Sequence, residues 1–124
     1  MKNFLLVGLG GAVGAMLRYA VGGLVVHISP DSKFPWATLL VNILGCFAVG
    51  AIASSLERIN FYNSELRLAL ITGLLGGFTT FSAFGLETLY LLRQGQLLLA
   101  GCNIAISVAV GLLAAYLGLR LFAA

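Results

Sequence analysis

The fold of this chain is decided by residues 73–84, which read Gly-Leu-Leu-Gly-Gly-Phe-Thr-Thr-Phe-Ser-Ala-Phe. The stretch lies inside a long apolar run, residues 66–92. Glycine and threonine are weak helix formers, and glycine allows the backbone to leave helical geometry. Non-helical backbone at membrane depth is tolerated only where it is buried in protein or lines a watery cavity. The stretch therefore predicts a membrane-spanning helix that is broken near mid-membrane, a feature typical of a transport site.

The composition indicates an integral membrane protein. Of the 124 residues, 60% are hydrophobic and only 9% are charged, whereas soluble domains carry about 25% charged residues. A chain of this length cannot bury so much apolar surface in a soluble fold. The net charge of +3 is small and scattered, so nucleic acid is not an expected partner. Cys46 and Cys102 lie within predicted spans and lack the spacing of a metal motif.

Four membrane spans are predicted, in an all-α chain that forms a single integral membrane domain over residues 1–124. Each apolar run is long enough to cross a hydrocarbon core of roughly 30 Å. The third run is longer than a crossing requires, in agreement with a span that includes non-helical backbone. The predicted spans are residues 4–26, 36–56, 66–92 and 97–122. Four spans place both termini on the same side of the membrane.

The basic residues that flank the spans give only a weak indication of orientation. They are Lys2, Arg58, Arg67 and Arg120 on the side of the termini, and Lys33 and Arg93 on the other side. So small a bias under the positive-inside rule allows insertion in both orientations, and two copies would then pair antiparallel. Four helices alone do not readily enclose a pore, because the seam between them must be closed. We therefore expect an antiparallel, dual-topology homodimer surrounded by membrane lipid.

Arg18 is the most informative charge within a span. Gly10, Gly14, Arg18 and Gly22 recur every four residues, which places them on one helical stripe suited to a close helix contact. An arginine within a span usually faces protein or water instead of lipid. Arg18 is therefore interpreted either as an anion-attracting or structure-fixing group in a vestibule, or as a side chain that snorkels to the interface.

Polar residues on the second and fourth spans are further candidates. Thr38 and Asn42 share one face of span two, and Asn103 and Ser107 share a stripe of span four. A buried asparagine in lipid must be satisfied either by a neighbouring helix or by a permeant species. The residues by themselves leave both alternatives open for each pair.

Phenylalanines and hydroxyl groups are interleaved after the glycines of span three. Phe81 and Phe84 continue an aromatic stripe, and Thr80 and Ser82 supply hydroxyls beside them. An aromatic stripe alone is typical of packing, but the edge of a phenyl ring is positive and can favour an anion without a fixed charge. Glu87 follows one or two turns later, and it either neutralises Arg18 or faces a vestibule.

Three motifs are shared with a known family over nearly the whole chain. They are Gly10-Gly11-Ala12-Val13-Gly14 with Arg18-Tyr19, Thr38-Leu39 with Val41-Asn42, and Gly76-Gly77-Phe78-Thr79-Thr80-Phe81-Ser82-Ala83-Phe84 followed by Glu87. On these residues the chain resembles the Fluc (CrcB) fluoride channels of microbes. Ala83 and Gly85 depart from the family pattern, and span four matches it less well.

The resemblance implies a passive channel that exports cytoplasmic fluoride across the inner or plasma membrane and excludes chloride, with two pores in an antiparallel homodimer. Dehydrated fluoride would pass hydrogen-bond donors and phenylalanine ring edges. The expected pore residues, from spacing and resemblance together, are Asn42, Phe81, Phe84, Thr80, Ser82, Thr38 and Ser107, with Arg18 and Glu87 in the vestibule. The resemblance also implies a structural Na⁺ at the dimer centre, held by the backbone carbonyls of Gly76 and Thr79.

Two other functions remain alternatives. A proton-coupled exporter of the small multidrug-resistance type also has four spans, but it needs a membrane-embedded carboxylate, typically in span one, where this chain has Arg18 and no acidic residue. A non-transporting assembly subunit would need the packing glycines and would leave the hydroxyl-phenylalanine run unexplained. An enzyme is not expected, because Glu87 is the only acidic residue well inside a span and no nucleophile–base pair accompanies it.

Overall fold

The computed structural model describes residues 1–58 and 64–123, and all regular structure in those ranges is helical. Four helices are long and apolar enough to cross a membrane, at Lys2–Ile28, Trp36–Glu57, Glu65–Arg93 and Leu97–Phe122. The predicted all-α fold with four spans is therefore confirmed. Part of the connection between the second and third spans lies outside the described residues.

Three of the spans are single helices, and the third is composite. The single helices are α1 (Lys2–Ile28), α2 (Trp36–Arg58) and α6 (Leu97–Phe122). The third span consists of α3 (Ser64–Arg67), a π-helical segment (Leu68–Leu75), α4 (Gly76–Phe78) and α5 (Phe81–Arg93). The π-helical segment is a wider turn of the kind found at functional sites, and the sequence pattern did not predict it.

The third helix breaks at Thr79 and Thr80, which both adopt extended backbone, with ψ of 157° and 117°. The Thr79 N–H still bonds to the Leu75 carbonyl and so completes α4. The Thr80 hydroxyl accepts a hydrogen bond from the Ala83 N–H at 3.2 Å, which caps the start of α5. The predicted break is thus present, but the threonines form it, and the preceding Gly76 and Gly77 are helical.

The glycines of the third span serve close packing against α1. A Cβ on Gly77 would overlap the Gly11 carbonyl, and a Cβ on Gly14 would overlap the Leu74 carbonyl. A Cβ on Gly10 would lie 2.5 Å from the Ala69 carbonyl oxygen. The predicted glycine stripe on α1 therefore contacts a helix at its first two positions, whereas a Cβ on Gly22 would have no described residue within 4 Å.

The helices α2 and α6 form a second closely packed pair. A Cβ on Gly50 would overlap the Ala115 carbonyl, and a Cβ on Gly118 would overlap the Phe47 carbonyl. The helix α5 leaves the break and packs mainly on α6. As a result, the extended residues Thr79 and Thr80 lie where the two helix pairs meet.

Candidate permeation site

A cavity of about 390 Å³ lies beside the break in the third helix. Its walls are mostly apolar, with a few polar groups, as is usual for a small-ligand site. The lining residues are Asn42, Gly45, Cys46, Val49, Ile71, Leu75, Gly76, Thr79, Thr80, Phe81, Phe84, Ser107 and Val108. The fold therefore brings Asn42, Thr80, Phe81, Phe84 and Ser107 of the predicted pore to one cavity, and it places Thr38 and Ser82 outside this lining.

Asn42 is paired with the backbone of the break. Its Nδ2 donates to the Thr80 carbonyl at 2.9 Å, and its Oδ1 accepts from the Thr80 N–H at 2.8 Å. The side-chain amide thereby replaces the helical partners that Thr80 would otherwise have. One N–H and one lone pair of the amide remain for other partners, so Asn42 both holds the break open and offers a donor at the cavity.

Gly45 lies one turn along α2 from Asn42 and is buried. A Cβ at this position would overlap the γ-methyl group of Thr79. The missing side chain lets α2 approach the extended backbone closely enough for Asn42 to reach Thr80. This contact joins residues far apart in the chain, so the sequence pattern did not predict Thr79 as the neighbour of Gly45.

The hydroxyl and aromatic groups after the break lie close together. The Thr80 and Ser82 hydroxyl oxygens are 3.2 Å apart and share a hydrogen bond. The Phe81 and Phe84 ring centroids are 5.4 Å apart, with a tilt of 40° between the ring planes. Phe84 is half-buried, whereas Phe81 is 82% exposed in the single chain. The Phe81 ring therefore has one face available for a further partner.

Arg18 is half-buried and reaches the break from α1. Its Nη1 lies 3.4 Å from the Thr79 carbonyl oxygen, to which it donates. Arg18 also lines a small cavity of about 60 Å³ together with Gly22, Thr38 and Thr80, among others. The guanidinium group thus contacts the extended segment directly, in agreement with the structure-fixing interpretation.

Thr38 and Glu87 form a polar pair beside this small cavity, which Thr38 also lines. The Thr38 hydroxyl donates to Glu87 Oε1 at 2.7 Å, and Glu87 Oε2 is buried without a hydrogen-bond partner in the described part of the chain. Glu87 lines a third cavity of about 290 Å³ beside the loop between α1 and α2. Within residues 1–58 and 64–123, Glu87 and Arg18 form no ion pair, and the vestibule role of Glu87 stays a prediction.

Backbone carbonyl oxygens, not side chains, are the groups at the break that suit a cation. No group of three or more His, Cys, Asp or Glu residues that could hold a metal occurs among the described residues. The Thr80 N–H bonds to Asn42 and is thereby diverted from the Gly76 carbonyl four residues earlier. Within the described part of the chain, the Thr79 carbonyl accepts only the long contact from Arg18, which leaves it a second lone pair. Unwound carbonyls of this kind coordinate Na⁺ in membrane proteins, so the expected ligands Gly76 and Thr79 fit the ion.

The sequence pattern placed Asn103 on a polar stripe of α6, but it did not predict the hydrogen-bond partner of Asn103. Asn103 is 1% exposed, and its Nδ2 donates to the Thr88 hydroxyl of α5 at 2.9 Å. Thr88 is itself buried and had no signal in the sequence, because a threonine inside an amphipathic helix is unremarkable without its neighbour. For Asn103 the structure therefore shows the neighbouring-helix alternative.

These features define a class of protein. The chain has four apolar spans, and the third is broken at two extended residues. An amide, hydroxyls and phenyl rings line a cavity beside the break. These are the features of a multi-pass membrane transport protein. Residues 5–119 match the family described as CrcB-like protein, Camphor Resistance (CrcB). The chain belongs to this family.

Curated relatives agree over the full length of the chain. A relative from Methylobacillus flagellatus is 47% identical over 121 residues, which cover 98% of this chain and 94% of the relative. A relative from Rhizobium etli is 46% identical and covers 100% of this chain and 98% of its own length. A relative from Hyphomonas neptunium is 48% identical over 99% of this chain and 100% of its own length. Each of the three is named fluoride-specific ion channel FluC.

The family assignment decides two further predictions. The relatives are ion channels by name, and the prediction that the chain is not an enzyme is confirmed. Together with the four apolar spans, the family also places the chain in the cell membrane as a multi-pass protein.

Proposed function

We propose that this chain is a passive, fluoride-selective ion channel that exports cytoplasmic fluoride. The names of the full-length relatives support the choice of ion. The observation that carries the proposal in this chain is the cavity at the break, where Asn42, Thr80, Ser107 and the two phenylalanines Phe81 and Phe84 share one lining.

The chemistry of this lining suits a small anion that must leave water and return to it. Fluoride is strongly hydrated, so its path must supply hydrogen-bond donors in place of water. The free N–H of Asn42 is such a donor, and the hydroxyl pair of Thr80, in the lining, and Ser82, beside it, keeps one proton that is not used within the pair. No lysine or arginine is among the residues that line the cavity. Conduction needs an ion to escape as well as to enter, and a lining without fixed positive charge permits both.

The phenylalanine pair would provide the selective part of the path. A phenyl ring carries its positive potential at the edge, and the Phe81 side chain is 82% exposed in the single chain. An anion passing the edges of Phe81 and Phe84 would be attracted without being bound tightly. Larger anions would fit less well in a narrow route between rings, which accounts for exclusion of chloride.

A second copy of the chain would complete the proposed channel. A large apolar surface is exposed on the single chain, and a partner inserted in the opposite orientation would cover part of it, including Phe81. The antiparallel homodimer would then hold two pores. The Gly76 and Thr79 carbonyls of both copies would hold a structural Na⁺ at the centre, where the ion would supply charge to neutralise the facing oxygens. We propose that Arg18 and Glu87 face the vestibules, with Thr38 as the hydrogen-bond partner of Glu87.

Ion efflux from liposomes tests the proposal. Purified protein is reconstituted, and fluoride and chloride release are followed with ion-selective electrodes while a potassium ionophore sets the voltage. A passive channel gives fast fluoride release without chloride release. Absence of fluoride release from a demonstrably folded protein would refute the proposal and would direct attention to proton-driven cation export.

A further inference from the structure

A chain of hydrogen bonds connects the Phe84 backbone on α5 with Ser107 on α6. The Thr88 hydroxyl donates to the Phe84 carbonyl at 2.7 Å, and Asn103 Nδ2 donates to the Thr88 oxygen at 2.9 Å. The Ser107 hydroxyl oxygen lies 3.5 Å from Asn103 Oδ1. Phe84 and Ser107 line the main cavity, whereas Thr88 is 7% and Asn103 1% exposed. Two buried residues behind the lining thus link two residues within it.

The direction of each bond in this series of hydrogen bonds follows from the first acceptor, the Phe84 carbonyl. A carbonyl only accepts, so Thr88 gives its proton to Phe84 and turns its lone pairs towards Asn103. Only the amide nitrogen of Asn103 can donate to those lone pairs, which fixes the orientation of the amide. Asn103 Oδ1 then faces Ser107 and accepts the Ser107 proton. The weak 3.5 Å contact therefore points the resting Ser107 hydroxyl towards Asn103, behind the cavity.

We infer that Asn103 and Thr88 are positioning residues for the anion path, an inference that rests on the proposed function. They hold the turn of α5 that carries Phe84 against α6, and they orient the Ser107 hydroxyl. The two short bonds, one part-buried and one buried, hold the backbone. The contact between Ser107 and Asn103, at 3.5 Å, is at the limit of a hydrogen bond. The Ser107 hydroxyl can therefore turn from Asn103 towards an entering anion at small cost.

The phenylalanine pair is sensitive to this tether because of where Phe84 lies. Its ring packs on Phe81 with a centroid distance of 5.4 Å, so a displacement of the Phe84 turn moves both rings. A threonine that bonds to the carbonyl four residues earlier also bends its helix locally. Loss of the tether would therefore alter the ring geometry without removing either ring.

Substitutions at Thr88 and Asn103 test the inference. Thr88→Val and Asn103→Leu remove the tether at nearly constant volume, and Thr88→Ser retains the hydroxyl. Ser55→Ala is a matched control, because the Ser55 hydroxyl makes the same kind of bond, to the Ala51 carbonyl at 2.7 Å, on α2 outside the cavity lining. We expect Thr88→Val and Asn103→Leu to slow fluoride efflux about tenfold. We expect Thr88→Ser and Ser55→Ala to stay within about twofold of the unsubstituted protein.

A spectroscopic readout separates positioning from a loss of folding. Para-fluorophenylalanine is incorporated in place of Phe84, and its fluorine NMR resonance is recorded in each variant. Thr88→Val is expected to shift the resonance and Thr88→Ser to restore it. Should Thr88→Val fail to fold, the double variant Thr88→Val/Asn103→Leu serves instead, because replacing both partners by apolar groups of similar shape is nearly neutral for stability.

Unchanged efflux together with an unchanged resonance in the folded Thr88→Val or double variant would overturn the inference. A resonance that Thr88→Ser fails to restore would also overturn it. If the unsubstituted protein releases no fluoride, the proposed function fails separately. The resonance then still decides whether Thr88 and Asn103 position Phe84.

Discussion

Replacing Asn42 with alanine would remove both hydrogen bonds that hold the break in the third helix. The substitution leaves the Thr80 N–H and carbonyl without the partners they have at 2.8 and 2.9 Å. A buried backbone group without a partner costs about 1–3 kcal/mol. Thr80 is half-buried in the single chain, so the lower part of that range applies to each group. We expect Asn42→Ala to lower the free energy of unfolding by about 2–3 kcal/mol.

The same substitution should also stop transport. Without Asn42, no side chain holds the extended backbone at Thr80, and the cavity that this backbone lines is expected to lose its shape. Asn42→Asp still accepts from the Thr80 N–H but no longer donates to the Thr80 carbonyl, and its carboxylate adds a negative charge at the cavity. Fluoride efflux is therefore expected to be lost in both variants.

The assay pairs equilibrium unfolding in detergent with fluoride efflux from liposomes. Cys46→Ala is the control, because Cys46 lies one turn further along α2 and lines the same cavity, and its thiol makes no hydrogen bond among the described residues. The reasoning is refuted if Asn42→Ala unfolds with the same free energy as Cys46→Ala and carries fluoride at the same rate.

Three further predictions concern packing, the vestibule and the rings. Gly14→Ala should lower the free energy of unfolding by about 1–3 kcal/mol, because its Cβ would overlap a backbone carbonyl. Gly22→Ala should be tolerated, since its Cβ would have no described residue within 4 Å. Equal melting temperatures of the two variants would contradict this prediction. Thr38→Val should destabilise the protein by about 1.5–3 kcal/mol through loss of the bond to Glu87, with Thr38→Ser close to the unsubstituted protein in thermal unfolding. Phe81→Ile should abolish fluoride efflux while leaving a dimer by size-exclusion chromatography, and efflux near the original rate would disprove the ring-edge proposal.

The position of the break shows how far the sequence pattern could be followed. The weak helix formers in residues 73–84 correctly located an interruption in the third span. They did not identify its cause, because the glycines are helical and the extended residues are Thr79 and Thr80. The preference of a glycine for non-helical backbone is small, and the close approach of α1 outweighs it at Gly77.

The partners of the polar residues were beyond the sequence pattern for a related reason. Helical spacing placed Thr38 and Asn42 on one face of span two, and it placed Asn103 on a stripe of span four. Spacing within a helix says nothing about the residue opposite. Glu87 opposite Thr38, Thr80 opposite Asn42 and Thr88 opposite Asn103 depend on how the helices are docked.

The sequence by itself determined that the chain spans a membrane four times, that the third span is interrupted, and which family its motifs resemble. Those properties depend on apolar run length, local helix propensity and a contiguous motif, all of which are local in the chain. Only the tertiary structure decided that Asn42 holds the break, that Arg18 contacts it, and that Asn103 lies behind Phe84. Each of these contacts joins different spans and acts over a short distance, so it exists only once the helices are docked, which glycines permit at the Arg18 and Asn42 contacts.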